Sequence, residues 1–424
     1  MTRLAFALAL LLGGLALAQP DTYFAPIILR TPSTSPVGAN AMGTAIWLPD
    51  QGIDASVSLI FGTGSGSSVP FKLLTAAPAS VSGFPAQVDA VAAAPGVIVN
   101  GQVRTLLAIQ SGGNVTFGDL EPQFVSRGPA SPISGAGTQI ALSATPGGGA
   151  ALLVANGFAI SRFEIDASGA QVVVTPGATM QVTPSGGSDE SNTLVFDGIS
   201  NLGFIGGRVQ GDIYRFDARL DAGLPVFFES GLVSQGRIAA PVTGLALYNV
   251  PSRTYLLAAN TQGITVYDLF SPTPLQSAFR VIPIDSVGPI TAPAGVSVTN
   301  LAVNPTFRQG VFAVGDRTQT GLALLDWGLL ANQVDGGPLT IDPIFDPRGL
   351  ADGGSDGGVP DSGTPDSGGG GGGGGNPNNP AAGGPLGPGI PVDHGSDCST
   401  AGGAPVLVLL LAALALLPRR RQRR

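Results

Sequence analysis

The chain of 424 residues carries 64 glycines and 36 prolines, while only 11% of its residues are charged and 6% are aromatic. This composition lies far from the globular average and excludes one simple domain, although a hydrophobic content of 43% still allows a large core beside Gly- and Pro-rich linkers. The net charge of −8 and the single lysine, Lys72, exclude a nucleic-acid partner, because phosphate binding needs clustered cations.

The single histidine and the single cysteine exclude several reaction classes. His394 and Cys398 both lie beyond the part of the chain that could form a core. The folded body therefore has no Ser-His-Asp triad, no Cys-His pair and no His-ligated zinc. Carboxylates, hydroxyls, arginine and tyrosine remain, and these suit a calcium site or no catalysis.

Residues 1–18 have the pattern of a secretory signal peptide. Arg3 precedes an apolar run over residues 4–17, which ends in the small-x-small sequence Ala16-Leu17-Ala18. This pattern predicts cleavage by signal peptidase after Ala18 and an exported mature chain. A permanent anchor helix is the alternative, and it agrees less well with the shortness of the run.

Residues 19–345 form the body, in which a short apolar run recurs between clusters of Gly, Pro, Ser and Asn. Marker residues in the six runs are separated by 47, 46, 52, 52 and 56 residues. The markers are Leu59, Leu106, Leu152, Phe204, Leu256 and Phe312. Alternation of this kind without a long amphipathic helical pattern indicates an all-β body.

In five of the six repeats a second alternating run follows after a turn, so each of these repeats contains a hairpin. The second runs cover residues 114–117, 160–163, 212–216, 264–267 and 322–325. A hairpin repeated about every 50 residues, with room for two more strands, fits one four-stranded propeller blade. The sequence therefore predicts a six-bladed β-propeller, with a pair of β-sandwiches as the competing architecture.

The repeats also resemble a known family, the β-propeller phytases. Stretches in family order include residues 44–47, 58–63, 88–89, 203–206, 212–218, 244–248, 255–263, 266–268, 295–298 and 310–316. The resemblance spans residues 41 to 327. It implies a propeller and, for family members, calcium-dependent hydrolysis of inositol hexakisphosphate by a 3-phytase (phosphomonoesterase) activity.

Most acidic positions that the family uses for calcium carry other residues in this chain. The departures are Met42, Gly43, Gly64, Ser65, Gly207, Arg208, Thr243, Ala294 and Ser297. By the resemblance, Asp89, Asp316 and Glu190 remain as candidate calcium ligands. Arg208 and Arg215 are candidates for binding phosphate. Calcium takes six to eight oxygen ligands, so three scattered acids predict no bound cofactor, and calcium only if the family activity survives.

Residues 346–397 are predicted to be a disordered Gly-, Pro- and Asp-rich linker, because they contain almost nothing to bury. In residues 398–424, Cys398 precedes an apolar run over residues 406–417 and a cluster of five arginines. This order resembles the MYXO-CTERM sorting signal. It implies a short hydrophobic helix that holds the precursor in the membrane until a sorting protease cleaves near Cys398. A plain C-terminal membrane anchor is the alternative.

These features predict an exported protein displayed on the cell surface or outer envelope. Its body is expected to be a phytase-like propeller that acts as a non-catalytic binding or scaffold protein. A calcium-dependent phosphomonoesterase with an altered site is the alternative function.

Overall fold

The computed structural model describes the body of the chain in segments. These are residues 22–30, 41–47, 59–64, 72–73, 88–120, 124–133, 139–184, 191–221, 223–229, 241–250, 253–272, 274–275, 278–301, 306–316, 321–333 and 339–341. The predicted signal peptide, linker, sorting tail and C-terminal hydrophobic helix lie outside these residues, as does Glu190. Among the described residues, no helix is both long and apolar enough to cross a membrane.

The described residues form six sheets, numbered I to VI in chain order, and one short helix. All strand pairs within them are antiparallel except one pair in sheet V. Sheet I contains β3 (Ala41–Trp47), β4 (Leu59–Gly64) and β5 (Lys72–Leu73). Sheet II contains β6 (Ala90–Val99), β7 (Gln102–Ser111), β8 (Asn114–Leu120), β9 (Phe124–Ser126) and β10 (Ser131–Pro132). Sheet III contains β11 (Gln139–Ala144), β12 (Ala150–Asn156), β13 (Ala159–Asp166) and β14 (Val173–Gln181).

In the other three sheets, too, strands that are consecutive in the chain pair with each other. Sheet IV contains β15 (Ser191–Asp197), β16 (Leu202–Gly207), β17 (Ile213–Asp217) and β18 (Val226–Glu229). Sheet V contains β19 (Gly244–Val250), β20 (Arg253–Asn260), β21 (Gly263–Asp268), β22 (Phe279–Asp285) and β23 (Gly288–Pro289). Sheet VI contains β24 (Pro293–Thr299), β25 (Val311–Asp316) and β26 (Gly321–Asp326), and helix α1 (Trp327–Gln333) follows.

The first strands of the sheets lie around a common centre. They contact one another in the cyclic order β3, β6, β11, β15, β19, β24 and back to β3. This is a β-propeller arrangement, and the predicted all-β class is confirmed. Sheets II to VI each contain the four or more strands of a complete blade, whereas sheet I has three strands among the described residues. The prediction of six complete blades is therefore corrected to five.

Two N-terminal strands join the C-terminal part of the body. Strand β1 (Thr22–Pro26) pairs in parallel with β22 of sheet V. Strand β2 (Leu29–Arg30) pairs antiparallel with β26 and supplies the fourth strand of sheet VI. Between them, the Ile27 N–H donates to Ile284 O and the Ile28 N–H donates to Leu324 O. The ring is thus closed by hydrogen bonds between distant parts of the chain.

The apolar runs of the sequence are the second strands of the sheets. All residues of β25 and all but the last residue of β12 are buried, because neighbouring sheets cover both faces of these strands. Between sheets V and VI the shared core includes Tyr255, Phe312 and Trp327. Similar layers lie between sheets II and III, III and IV, and IV and V. The core is therefore divided into layers between the blades.

Candidate ligand channel

A central channel of about 280 Å³ runs between the first strands of all six sheets. Its wall is built mostly from small and aliphatic side chains, among them Ala92, Ala141, Leu245 and Val296. Each of these strands contacts its two neighbours in the ring, so residues from all six line one space. Its volume lies just below the range of about 300–1,000 Å³ that is typical of small-molecule sites.

Among the described lining residues, the only charged side chain belongs to Asp197, and its carboxylate is already engaged. One oxygen accepts a hydrogen bond from the Ile199 N–H at 3.0 Å. The other accepts from the Ser200 N–H at 3.3 Å and from the Ser200 hydroxyl at 2.6 Å. Asp197 therefore caps the turn after β15, and the channel wall offers little charge to bind a metal ion or a phosphate.

Five uncharged polar side chains of the wall fall into two groups. Ser143 and Thr299 accept hydrogen bonds from the backbone N–H groups of Gly198 and Leu301. In contrast, Thr44 Oγ1, Asn249 Oδ1 and Ser297 Oγ are buried and have no hydrogen-bond partner within the described part of the chain. The channel wall is thus mainly apolar, and these three polar atoms are buried behind its surface.

The structure places two of the three predicted calcium ligands, Asp89 and Asp316, in separate structural roles. Asp89, which precedes β6, accepts a hydrogen bond from the Gly112 N–H at 2.8 Å and so holds the turn between β7 and β8. Asp316 ends β25, is 1% exposed and forms an ion pair with Arg30 at 2.7 Å. Within the described residues, no group of three or more His, Cys, Asp or Glu side chains is placed to hold a metal ion.

The two predicted phosphate-binding arginines both belong to sheet IV, and both are exposed. Arg208 follows the end of β16 and Arg215 lies within β17. Neither arginine lines the central channel. The position of a family glutamate is occupied by Thr243, which is buried and donates its hydroxyl hydrogen to Pro293 O at 2.6 Å. This hydroxyl ties sheet V to sheet VI.

Sequence analysis missed an ionic cluster at the N-terminal closure. Arg30 on β2 pairs with both Asp285 of sheet V and Asp316 of sheet VI. Burial opposes the charge of the Arg30 guanidinium, but its hydrogen bonds to the two carboxylates keep its pKa above the ordinary value. The hydrogen bond from Arg30 is the main reason that the pKa of Asp285 lies below its usual value. No local sequence pattern could predict that these three residues meet, because they are far apart in the chain.

A second missed feature was visible in the spacing. An aspartate recurs at or next to the end of the third strand in sheets II to VI, at intervals of 47, 51, 51 and 58 residues. These residues are Asp119, Asp166, Asp217, Asp268 and Asp326. In the last four, the carboxylate accepts a hydrogen bond from a backbone N–H two or three residues later and fixes the turn that leaves the strand. They are structural residues.

Two of these aspartates also bind an arginine located fifteen residues earlier. Arg104 pairs with the buried Asp119 at 3.0 Å, and Arg253 pairs with the buried Asp268. Asp119 also pairs with Arg127 at 2.8 Å, and the resulting hydrogen bond raises the pKa of Arg127. These charged residues therefore form ion pairs that stabilise sheets II and V.

No protein-family model matches the chain, and no curated protein matches it. Solved structures do match. The structure of BBS1N in complex with ARL6DN has a TM-score of 0.41 at 9% identity, covering 67% of this chain and 78% of that chain. An auxiliary nutrient binding protein from Bacteroides thetaiotaomicron has a TM-score of 0.42 at 13% identity, covering 68% and 69%.

A third match is the β-propeller domain of Cps50 (Swd1) from Myceliophteria thermophila. Its TM-score is 0.38 at 10% identity, and the match covers 71% of this chain and 99% of that chain. The chain is an all-β protein with a β-propeller arrangement. Membership of the phytase family and the presence of a MYXO-CTERM signal stay predictions.

Proposed function

We propose that this protein is an exported, non-catalytic propeller that binds a ligand or serves as a scaffold on the cell surface or outer envelope. The observation that carries the proposal is the near absence of charge among the described residues that line the central channel. Hydrolysis of a phosphate ester by calcium needs several carboxylates around the metal to hold it and to activate water. Of the lining residues that the structure describes, only Asp197 carries a carboxylate, and its oxygens cap a turn.

Phosphate release tests this proposal directly. The full chain is incubated with calcium chloride and inositol hexakisphosphate, and free phosphate is measured against samples that contain a calcium chelator. We expect the same release with and without calcium. Robust calcium-dependent release would overturn the proposal and would establish the phosphomonoesterase alternative, with ligands that include Asp89, Asp316 or Glu190.

We also propose that the precursor is processed at both ends. Signal peptidase would cleave after Ala18, and a sorting protease would cleave near Cys398 after the C-terminal tail has held the chain in the membrane. The support is the order of charged, apolar and small residues in the two terminal segments. Mass spectrometry of the envelope form should find Gln19 at the N-terminus and no Arg424. Retention of Arg424 would favour the plain anchor.

A further inference from the structure

An exposed apolar side chain follows each of the five aspartates at the third-strand ends of sheets II to VI. It comes two to seven residues after the aspartate, in the segment that leaves the third strand. The side chains are those of Val125, Val173, Leu224, Phe270 and Leu329. In sheets V and VI the aspartate holds this segment directly, because the N–H groups of Phe270 and Leu329 donate to the Asp268 and Asp326 carboxylates at 3.0 Å.

These apolar side chains share one face of the propeller. The sheets repeat the same order of antiparallel strands around one centre, so their third strands end on the same side of the ring. This side is called the aspartate face, after Asp119, Asp166, Asp217, Asp268 and Asp326. The apolar side chains are spread over five sheets of this face, whereas the apolar centre of a protein–protein interface is usually one contiguous patch.

Both ends of the described body also lie at the aspartate face. Thr22 at the start of β1 is aligned with Arg280 at the start of β22, next to the end of β21 where Asp268 lies. At the other end of the body, the Thr340 N–H donates to the Tyr255 hydroxyl at 2.8 Å, and Tyr255 is the pairing partner of Asp268. The predicted signal peptide and the predicted sorting tail are therefore both joined to the body at this face.

The spacing at the N-terminal end is short. Residues 19–21 separate the predicted signal peptide from β1. Four peptide steps from Ala18 to Thr22 span at most about 14 Å when fully extended. A precursor whose apolar run over residues 4–17 lies in the membrane therefore holds the aspartate face next to the lipid surface.

The charges of this face largely compensate one another. Three of the five aspartates are paired with arginines: Asp119 with Arg104 and Arg127, Asp217 with Arg219, and Asp268 with Arg253. Paired charges leave little net potential to attract a partner of one sign. Apolar side chains between compensated charges suit zwitterionic lipid headgroups, above which the arginine heads can stay in water.

We propose that the aspartate face docks on the lipid surface of the membrane that holds the terminal segments, with its exposed apolar side chains inserted between the headgroups. The inference rests on the proposed export and surface display, and it names the partner of that scaffold. A chain already tethered to the membrane meets the lipid at a high effective concentration, so shallow insertion of a few side chains is sufficient.

Fluorescence of the full chain on vesicles tests the docking. In a Cys398→Ser background, Phe270→Cys on the aspartate face and Val287→Cys on the opposite face each carry the polarity-sensitive dye NBD. The two native side chains are 64% and 73% exposed and lie at opposite ends of sheet V. Phosphatidylcholine vesicles should brighten the label at position 270 and shift its emission to shorter wavelength, and should leave the label at position 287 unchanged.

The two labels share the same tethers, so only the orientation of the body separates their responses. An equal response of both labels, or no response of either, would overturn the proposal. So would a response at position 270 that appears without vesicles as the protein concentration rises, since a second copy of the chain would then cover the face. A response that requires anionic lipid would likewise refute docking through the apolar side chains.

A substitution tests the apolar side chains themselves. Leu224 is 88% exposed, so Leu224→Ser should leave the melting temperature unchanged. With the label at position 270, it should lower the ratio of docked to undocked protein about tenfold, the factor for withdrawing one leucine side chain from an apolar environment. Val287→Ser is the matched control and should dock as the original protein does. Equal docking of the two variants would show that Leu224 does not insert and would overturn the proposal.

The result is separable from the test of the proposed function. Calcium-dependent phosphate release would refute the non-catalytic function whatever the labels show. Absence of docking without phosphate release would refute only the lipid partner and would leave an exported binding or scaffold protein.

Discussion

Arg30 is the residue on which the closure of the ring depends most directly. It comes from the N-terminal segment and forms ion pairs with Asp285 of sheet V and Asp316 of sheet VI. Its side chain is 21% exposed and that of Asp316 is 1% exposed. Removal of one partner of a buried pair costs far more than the loss of a surface pair, because the remaining charge stays out of water.

We therefore expect Arg30→Met to lower the free energy of unfolding by about 3 kcal/mol. Arg219→Met is the matched control, since Arg219 is 54% exposed and pairs with the partly exposed Asp217. The control should lose much less, because an exposed ion pair is solvated and contributes little to stability. Urea unfolding followed by tryptophan fluorescence measures both values. Equal losses in the two variants would show that burial of Asp316 adds nothing.

The same cluster should make stability depend on pH. The pKa of Asp285 is lowered mainly by the hydrogen bond from Arg30, with help from the N–H groups of Val287 and Gly288. A carboxyl whose pKa is lowered by folding stabilises the protein above its unfolded pKa of about 3.9, and this contribution disappears as the pH falls through the folded value. The melting temperature should therefore drop below about pH 4.

Arg30→Met should show a smaller part of this acid-induced drop, since the largest cause of the shift is gone. Thermal melting of both proteins between neutral and acidic pH provides the comparison. Parallel melting curves would mean that Asp285 contributes nothing to the acid sensitivity.

Among the secondary-structure elements, the second and third strands of the sheets could be predicted from the sequence. All six marker runs are second strands, and the five predicted second runs are third strands. Second strands such as β12 and β25 could be recognised because neighbouring sheets bury both of their faces, which requires a continuous apolar run. The third strand β13 could be recognised because its residues alternate between buried and more exposed positions. The outer strands could not be recognised as well. Strand β14 is largely exposed, and β9 and β10 divide the outermost position of sheet II into short pieces.

A close approach between the inner strands β19 and β24 gives a prediction about how two secondary-structure elements pack. Gly244 begins β19, and a Cβ atom at this position would lie 2.5 Å from Gly295 Cα in β24. Because the obstacle is backbone, Gly244→Ala should force sheets V and VI apart and cost about 1–3 kcal/mol. At Gly169, where the nearest atom would lie at 3.8 Å, the same substitution should cost almost nothing. Chemical denaturation compares the two, and equal effects would contradict the close approach.

For the whole molecule, the sequence predicted a ring of hairpins and failed to predict how the ring closes. Local patterns carry no information on which distant strand pairs with which, so β1 and β2 were not assigned to sheets V and VI. The candidate site likewise has one feature that the sequence predicted and one that it could not predict. The loss of family carboxylates was visible residue by residue, whereas the neutral polar group of Thr44, Asn249 and Ser297 depends on three strands that meet only in the folded ring.

The closure leads to a prediction for the molecule as a whole. Deletion of residues 1–30 removes β1, β2 and Arg30, so sheet VI keeps only β24 to β26, and the outer edge of β22 loses its partner. The buried Ala25 contact is lost as well. We expect a loss of more than about 3 kcal/mol, the value assigned to Arg30 alone. Deletion of residues 1–20 is the matched control and should leave the melting temperature unchanged.

Addition of the missing strands in trans makes this test decisive. A synthetic peptide of residues 19–31 should raise the melting temperature of the protein that lacks residues 1–30, in proportion to the logarithm of peptide concentration once the site is near saturation. The same peptide with Arg30→Met should need a higher concentration for the same shift, because it cannot pair with Asp285 and Asp316. A truncated protein that melts like the full chain, or that responds equally to both peptides, would show that the ring does not depend on this closure.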